Sequence, residues 1–497
     1  MEVVISGSTR VVTVPSGSTV DQALSQAGVV VGNLDRIIPA GYTVLSPNAV
    51  IQVIRVGEKF EIVEVTIPFE KQTVKNETLS VGKMLLIQPG VNGIQEFTYR
   101  KVIEDGVEKS NTVFKTTTLK EPVPEISMIG VQSPFTSIPL PGILAYLTAG
   151  NAWVMEGTTA NRRPLLTTGD LDTRVFAVSP DKKWLLFSRK PTISQPEHIN
   201  ELWVVSTKGD GSEPINLNAY NVYNFAGWDP NQPQTVIYSS VEPRSTAPGW
   251  QANNDLQMVT FTSNGKLETE EIITANSGGI YGWWGTIFAW SLDGTRLSFA
   301  RPDAIGIVNL EKKEFQPIYE IIPLQTGSDW AWVPGLSWSP DSTVLYSVAH
   351  NPGSGLVAPE ESPLFDMIAI PFTGGTAVPI ATQSGMFTYP LTSPLIEDGN
   401  YLVAYLQAIF PEQSQTSRYR LVVMDRDGSN RRELFPPEGS TGIDPRPNGV
   451  AWSPKPIAEG EFLIALLYQG NLWLVNSTSG QTYQVTGDSL LNNIDWK

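Results

Sequence analysis

The chain has no cysteine and only two histidines, His198 and His350, in 497 residues. Disulfides, thiolate metal sites and cysteine nucleophiles are therefore excluded, and two imidazoles are too few for a multi-histidine metal site within one chain. Charge is also scarce, 17% of residues against about 25% in an average soluble protein. Basic charge is the scarcer sign: 34 Lys and Arg face 50 Asp and Glu, a net of −16. Phosphate affinity needs a basic surface, so nucleic acid is not an expected partner. No apolar run reaches the roughly 18 residues of a membrane span. No secretory signal opens the chain, because Glu2 to Ile5 already reads as a strand. That leaves a cytosolic protein or a mature form whose export signal or anchor has been removed. The modules identified below favour the second, and hence an extracellular or cell-surface location.

Turn formers are plentiful, with 42 Gly and 38 Pro. They punctuate many short β-branched and aromatic runs, so the expected fold is mainly β. Within residues 1–56, Val3 to Ser6 and Val11 to Val14 flank Gly7-Ser8-Thr9-Arg10, a hairpin signal. Ser18, with Asp21 three positions on, predicts a helix cap. Val20, Ala23, Leu24 and Ala27 then share one helical face, and Gly28 ends it. Strands over Val29 to Val31 and Ala49 to Val56 follow, a β-grasp order. Period-two strands fill residues 57–132, with turns at Gly90-Val91-Asn92-Gly93 and Glu104-Asp105-Gly106. Residues 133–141, Pro-rich and uncharged, predict a semi-stiff linker.

From residue 142 to 497 one degenerate motif recurs: a small residue and an aromatic, then a Ser-Pro-Asp-like turn, then an apolar strand. Its aromatic-like positions are Val178, Trp228, Trp290, Trp338, Thr392, Trp452 and Trp496, spaced by 50, 62, 48, 54, 60 and 44 residues. Periods near 40–50 with four strands each predict propeller blades, the longer spacings leaving room for loops. Seven blades are expected, or six if the weak copy at Thr392 is a loop. Residues 142–168 supply three strands, the last over Pro164 to Thr167. Asn493 to Lys497 supplies the missing first strand, closing the ring as a clasp.

These modules resemble known families. Residues 1–56 are similar to the small ubiquitin-like repeats of bacterial resuscitation-promoting factors. Residues 57–132 resemble the G-five domain, through Gly82, Gly90, Gly93, Gly106 and Gly130 and the flanking Ile67-Pro68-Phe69-Glu70 and Lys120-Glu121-Pro122-Val123. That resemblance implies an extracellular bacterial protein adhering to cell-wall sugars, although an elongated strand pair also serves as a spacer. The repeats resemble the propellers of TolB-like proteins and of the prolyl-oligopeptidase superfamily. This resemblance is to fold and implies no activity.

No nucleophile elbow, P-loop or dinucleotide fingerprint occurs. Both histidines lie among loop formers, where an exposed side chain is expected. Asp425-Arg426-Asp427-Gly428-Ser429-Asn430 has Pro436 where a calcium loop needs Glu, so a hairpin turn is expected and no metal or cofactor. The aromatics before the first strands are the informative feature: Tyr220 and Tyr223, then Tyr281, Trp283 and Trp284, then Trp330 and Trp332, then Phe387 and Tyr389. Connections into first strands emerge on one face of a propeller. Four residues before each aromatic-like position stand Arg174, Asn224, Thr286, Pro334, Thr388, Asn448 and Asn492, mostly polar. An aromatic rim around a polar funnel suits sugars or extended peptides. The same aromatics also suit packing between blades.

Residues 133–497 hold 36 acidic and 22 basic side chains, which disfavours an anionic wall polymer as the propeller's ligand. The resulting expectation is a non-enzymatic surface binding or adhesion protein, with a cell-wall glycan or a surface protein as partner. Two alternatives stand beside it. One is a propeller-based lyase or hydrolase using Asp329, Asp172 or Asp444. The other is a purely structural surface-layer component.

Overall fold

A computed structural model describes the whole chain except residues 1, 6–7, 77–81, 131–134, 192–197, 210, 276–278, 356, 373–374 and 397–398. Gly7 of the expected hairpin turn and Ser133-Pro134 of the expected linker therefore lie outside the described residues. The chain divides into two compact units, residues 1–131 and 132–497.

The first unit begins with a four-stranded sheet built from Glu2–Ile5, Ser8–Val11, Arg36–Ile38 and Val50–Ile54. The first strand lies at its centre, antiparallel to the second and parallel to the fourth. The helix Val20–Gln26 buries Val20, Ala23 and Leu24 against Val29, Ile51 and Val53. Its cap is one residue later than expected. Thr19 Oγ1 accepts from the Gln22 N–H, and Gln22 Oε1 accepts from the Thr19 N–H, at 3.4 and 2.9 Å. This reciprocal pair satisfies two donors that a helix start leaves open. The Ser18 hydroxyl instead donates to the Pro15 carbonyl, at 2.8 Å. Val29 to Val31 form no strand, because Val29 is drawn into the core beside the helix end.

The rest of this unit is thin. Val56–Ile67, Gly93–Glu104 and Val107–Lys120 pair antiparallel in one long sheet. Large apolar side chains, Phe60, Ile62 and Phe114 among them, remain exposed on it. A second small sheet joins Lys71–Asn76, Glu125–Gly130 and Met84–Gln88. Two of the five glycines explain themselves. Gly106 sits at φ +83° in the tight turn between two long strands, and a Cβ on Gly93 would stand 2.5 Å from the Lys120 carbonyl. Arg55 ties the thin sheet to the helical module. Its guanidinium donates to the Val30 carbonyl and to Asp35, at 2.6 and 2.5 Å, while its main-chain N–H donates to Asp105 at 2.9 Å.

Among the described residues, the second unit contains seven sheets. In the first, Pro139–Thr148 lies between Asn151–Leu166 and Leu491–Trp496. Pro139 to Pro141, read as linker in the sequence, belong to a strand. The separate strand expected over Pro164 to Thr167 is instead the far end of Asn151–Leu166. The later sheets follow in chain order, with first strands Leu171–Val178, Val222–Trp228, Ile287–Trp290, Ser337–Trp338, Leu391–Thr392 and Val450–Trp452. Thr392 thus stands in a strand, paired with Val403. Each first strand touches the next, Val450–Trp452 touches Leu491–Trp496, and that strand touches Leu171–Val178. The contacts form a closed ring, which makes this unit a β-propeller.

The repeated tryptophan has a mechanical reason. The Trp228, Trp338 and Trp452 indoles donate to carbonyls of the preceding first strand, Ala177, Ala289 and Leu391, at 2.9, 3.1 and 3.2 Å. Each ring thus fills an inter-sheet gap and makes a polar tie across it. At Thr392 the hydroxyl takes over, donating to the Trp338 carbonyl at 2.8 Å. At the clasp, Asp495 Oδ2 accepts from the Val178 N–H at 2.6 Å. The Trp496 indole donates to the Pro141 carbonyl of its own sheet at 2.7 Å, and the buried indole N–H of Trp290 has no partner among the described residues.

Candidate binding rim

The propeller brings part of the expected rim together. Arg174 leaves Leu171–Val178 with its side chain exposed and its guanidinium carbon 3.3 Å from the centre of the Tyr223 ring. Tyr223 packs in turn on Trp250, with ring centres 4.3 Å apart. Trp250 belongs to Trp250–Ala252, a short strand paired with the extended end of Thr235–Pro243. That strand borders the 3-10 turn Gly282–Trp284, and Asn254 Nδ2 fastens the turn by donating to the Gly282 carbonyl at 2.5 Å. The turn presents Trp283, 37% exposed, with the Arg244 guanidinium 6.0 Å from its ring centre. Tyr281 and Trp284 beside it are half-buried. Arg174, Tyr223, Trp250 and the Trp283 turn therefore form one continuous strip across three successive sheets. The amide nitrogen of Asn224, one residue after Tyr223, is buried with no acceptor among the described residues and lies against Gly285.

Other expected rim residues go elsewhere. Trp332 is 2% exposed: its indole donates to the Met386 carbonyl at 2.9 Å and its ring meets Phe365 edge-on. It is a core residue, and its place as a ligand contact is corrected. Two residues from Trp332 along an extended segment, Trp330 is half-buried against the same cluster, its carbonyl accepting from Thr326 Oγ1 at 2.6 Å. Tyr389 stacks with Phe387 and packs into the core beside Tyr419, where burial pushes its hydroxyl pKa up. Tyr220 is half-buried and stacked on His198 at 4.4 Å. Asn448 is exposed in the turn before Val450–Trp452, two sheets from Arg174 around the ring.

His350 also departs from expectation. It ends the strand Val344–Asn351 at 4% exposure, with its ring nitrogens 2.8 and 2.7 Å from the Ile322 and Ser362 carbonyls. The ring also stacks on Phe365, with centres 5.0 Å apart, so it is a core group and not an exposed loop side chain. Among the described residues no group of three or more His, Asp and Glu could hold a metal ion. The Asp425 to Asn430 segment is a hairpin turn, in which the Gly428 N–H donates to the Asp425 carbonyl and Ser429 Oγ to Asp427.

The candidate acids are occupied or isolated. Asp172 accepts from the Arg174 N–H, the Ser188 hydroxyl and the Asn200 amide. Asp444 lies between Arg418 and Arg446 at 2.8 and 3.2 Å. Asp329 is exposed.

Sequence reasoning missed Trp250, Arg244 and Asn254. The signal was the 62-residue spacing between Trp228 and Trp290, the longest in the repeat. The extra residues build the hairpin whose buried Trp250 backs Tyr223.

No curated protein matches the chain. The IgA1 protease G5 domain structure is 24% identical over 16% of this chain and 94% of that one, with a TM-score of 0.14. A putative 6-phosphogluconolactonase from Bacteroides uniformis is 10% identical, covering 71% of this chain and 99% of that one, with a TM-score of 0.42. The periplasmic gluconolactonase of Pseudomonas aeruginosa is 12% identical, covering 71% and 98%, with a TM-score of 0.41. No helix among the described residues is long and apolar enough to cross a membrane. The G5 domain family matches residues 58–132, the thin second part of the first unit, and that part of the chain is a G5 domain.

Proposed function

We propose that the chain is a non-enzymatic binding protein of the bacterial cell exterior, which holds to the wall through its first unit and presents the propeller rim to a glycan. The G5 domain, preceded by a β-grasp module in the order of resuscitation-promoting factors, supports the exterior location and the wall attachment. One observation carries the rim: Tyr223, Trp283 and Trp284 lie along one strip with only part of their surface covered, backed by the buried Trp250 and next to the Asn224 amide, which has no acceptor among the described residues. Flat rings flanked by amides suit the C–H faces and hydroxyls of a sugar. The hydrogen bonds already made by Asp172 and the ion pairs of Asp444 favour binding over acid–base chemistry.

The test is binding of the full chain to immobilised cell-wall glycans and to a panel of neutral and acidic oligosaccharides. Trp283→Ala with Trp284→Ala should lower oligosaccharide binding at least tenfold while the melting temperature holds. Undiminished binding by that variant would overturn the rim.

A further inference from the structure

The cations on this face fall into two kinds. Arg189 pairs with Asp170, Arg244 with Glu242, Arg301 with Asp303 and Arg418 with Asp444. Arg174 is different. It is exposed and laid flat on Tyr223, and among the described residues no carboxylate or carbonyl accepts from its guanidinium. The nearest acid in sequence, Asp172, is taken by other donors, one of them the main-chain N–H of Arg174 itself. A guanidinium stacked on a ring keeps its edge N–H groups free, in the fork geometry that matches a carboxylate.

We propose that Arg174 is the acid-reading end of the aromatic strip, and that the rim's ligand is a glycan carrying a carboxylate sugar, of the uronic-acid type. The inference rests on the rim reading above. The strip supplies both halves of such a ligand: a guanidinium for the carboxylate, held on Tyr223 with the buried Trp250 behind it, and the Trp283 turn for the ring face of a following sugar. An acidic peptide would satisfy Arg174 equally. The partly exposed rings of the Trp283 turn favour sugar, because an apolar side chain gains most from an enclosing pocket and a sugar face gains from a plane. The propeller's net negative charge does not oppose a single carboxylate here, since exposed charges beyond about 8 Å are largely screened at physiological salt. It does oppose a densely charged polymer, so one acidic sugar among neutral ones is the expected pattern.

Three probes test this on the full chain by calorimetry: a glucuronate-containing oligosaccharide, the same oligosaccharide with its carboxylate reduced to the alcohol, and an acidic peptide of similar length. The wild type should prefer the acidic sugar over its neutral form by about tenfold or more, the scale of one charge-assisted contact. Arg174→Gln should erase that preference and keep the melting temperature. Equal affinity for the two sugars, lost in the Trp283→Ala, Trp284→Ala variant, would overturn the acid reading and leave the rim standing. Failure to bind either sugar, or unchanged binding in that double variant, would overturn the rim itself. Tighter binding of the peptide than of either sugar would overturn the glycan class.

Discussion

Neighbouring tryptophans in this protein do opposite things, and the difference is measurable. Trp332→Ala should empty a buried site and cost about 3–5 kcal/mol, the usual range for a large core aromatic. Trp283→Ala should move the melting temperature little, since over a third of that side chain is already in water. Comparative thermal melts of the two variants check both. Sequence alone separated them poorly, because both stand in aromatic-rich connections before a first strand. The deciding events are long-range: the Met386 carbonyl reaches Trp332 from 54 positions away. Asp35 offers a second residue-scale test. The Gly32 N–H on its carboxylate, with the Val56 N–H and Arg55, holds its pKa below the ordinary value despite the opposing cost of burial. A depressed carboxyl contributes stability above its unfolded value, near pH 4, and loses it as the pH falls through the folded value. The first unit should therefore weaken below about pH 4, and Asp35→Asn should remove that part of the acid sensitivity. Acid titration of unfolding, wild type against variant, checks this.

At the scale of elements, the repeat was readable because its spacing and its turns carry independent signals. The Ser-Pro-Asp turns show why those residue types recur. The Ser179 hydroxyl donates to Asp181 and accepts from the Trp184 N–H, closing the link between two strands without help from elsewhere. Local chemistry of this kind is visible in a sequence. The helix cap at Thr19 and the continuous strand Asn151–Leu166 were not, since both depend on which of two adjacent residues, or of two segments, a neighbouring element accepts. The Trp250 hairpin was hidden for a related reason: an insertion reveals its length before its destination. The inter-sheet indoles yield a paired prediction. Trp338→Phe gives up bonds to the Ala289 carbonyl and to Ser298, whereas Trp290→Phe gives up none. Trp338→Phe should therefore destabilise by roughly 1–2 kcal/mol more than Trp290→Phe, as denaturant melts of the two variants would show.

For the molecule as a whole, ring closure is the dominant constraint. The strand Leu491–Trp496 pairs with Pro139–Thr148, and the Thr148 hydroxyl reaches Asp488 across 340 positions. Deleting residues 491–497 should unpair one edge of Pro139–Thr148, lower the melting temperature sharply and promote aggregation; unchanged melting would show that the ring does not need its clasp. The same geometry sets a timetable for synthesis. The other sheets are each drawn from one stretch of chain and can form as they leave the ribosome, but the first sheet waits half-made until residues 491–496 exist. Throughout translation the propeller is an arc with unpaired strands at both ends, held in the state that chaperones recognise and proteases attack. A message truncated anywhere before those six residues therefore yields a protein that cannot finish folding, so the closing strand also serves as a check that the propeller has been made to its last blade.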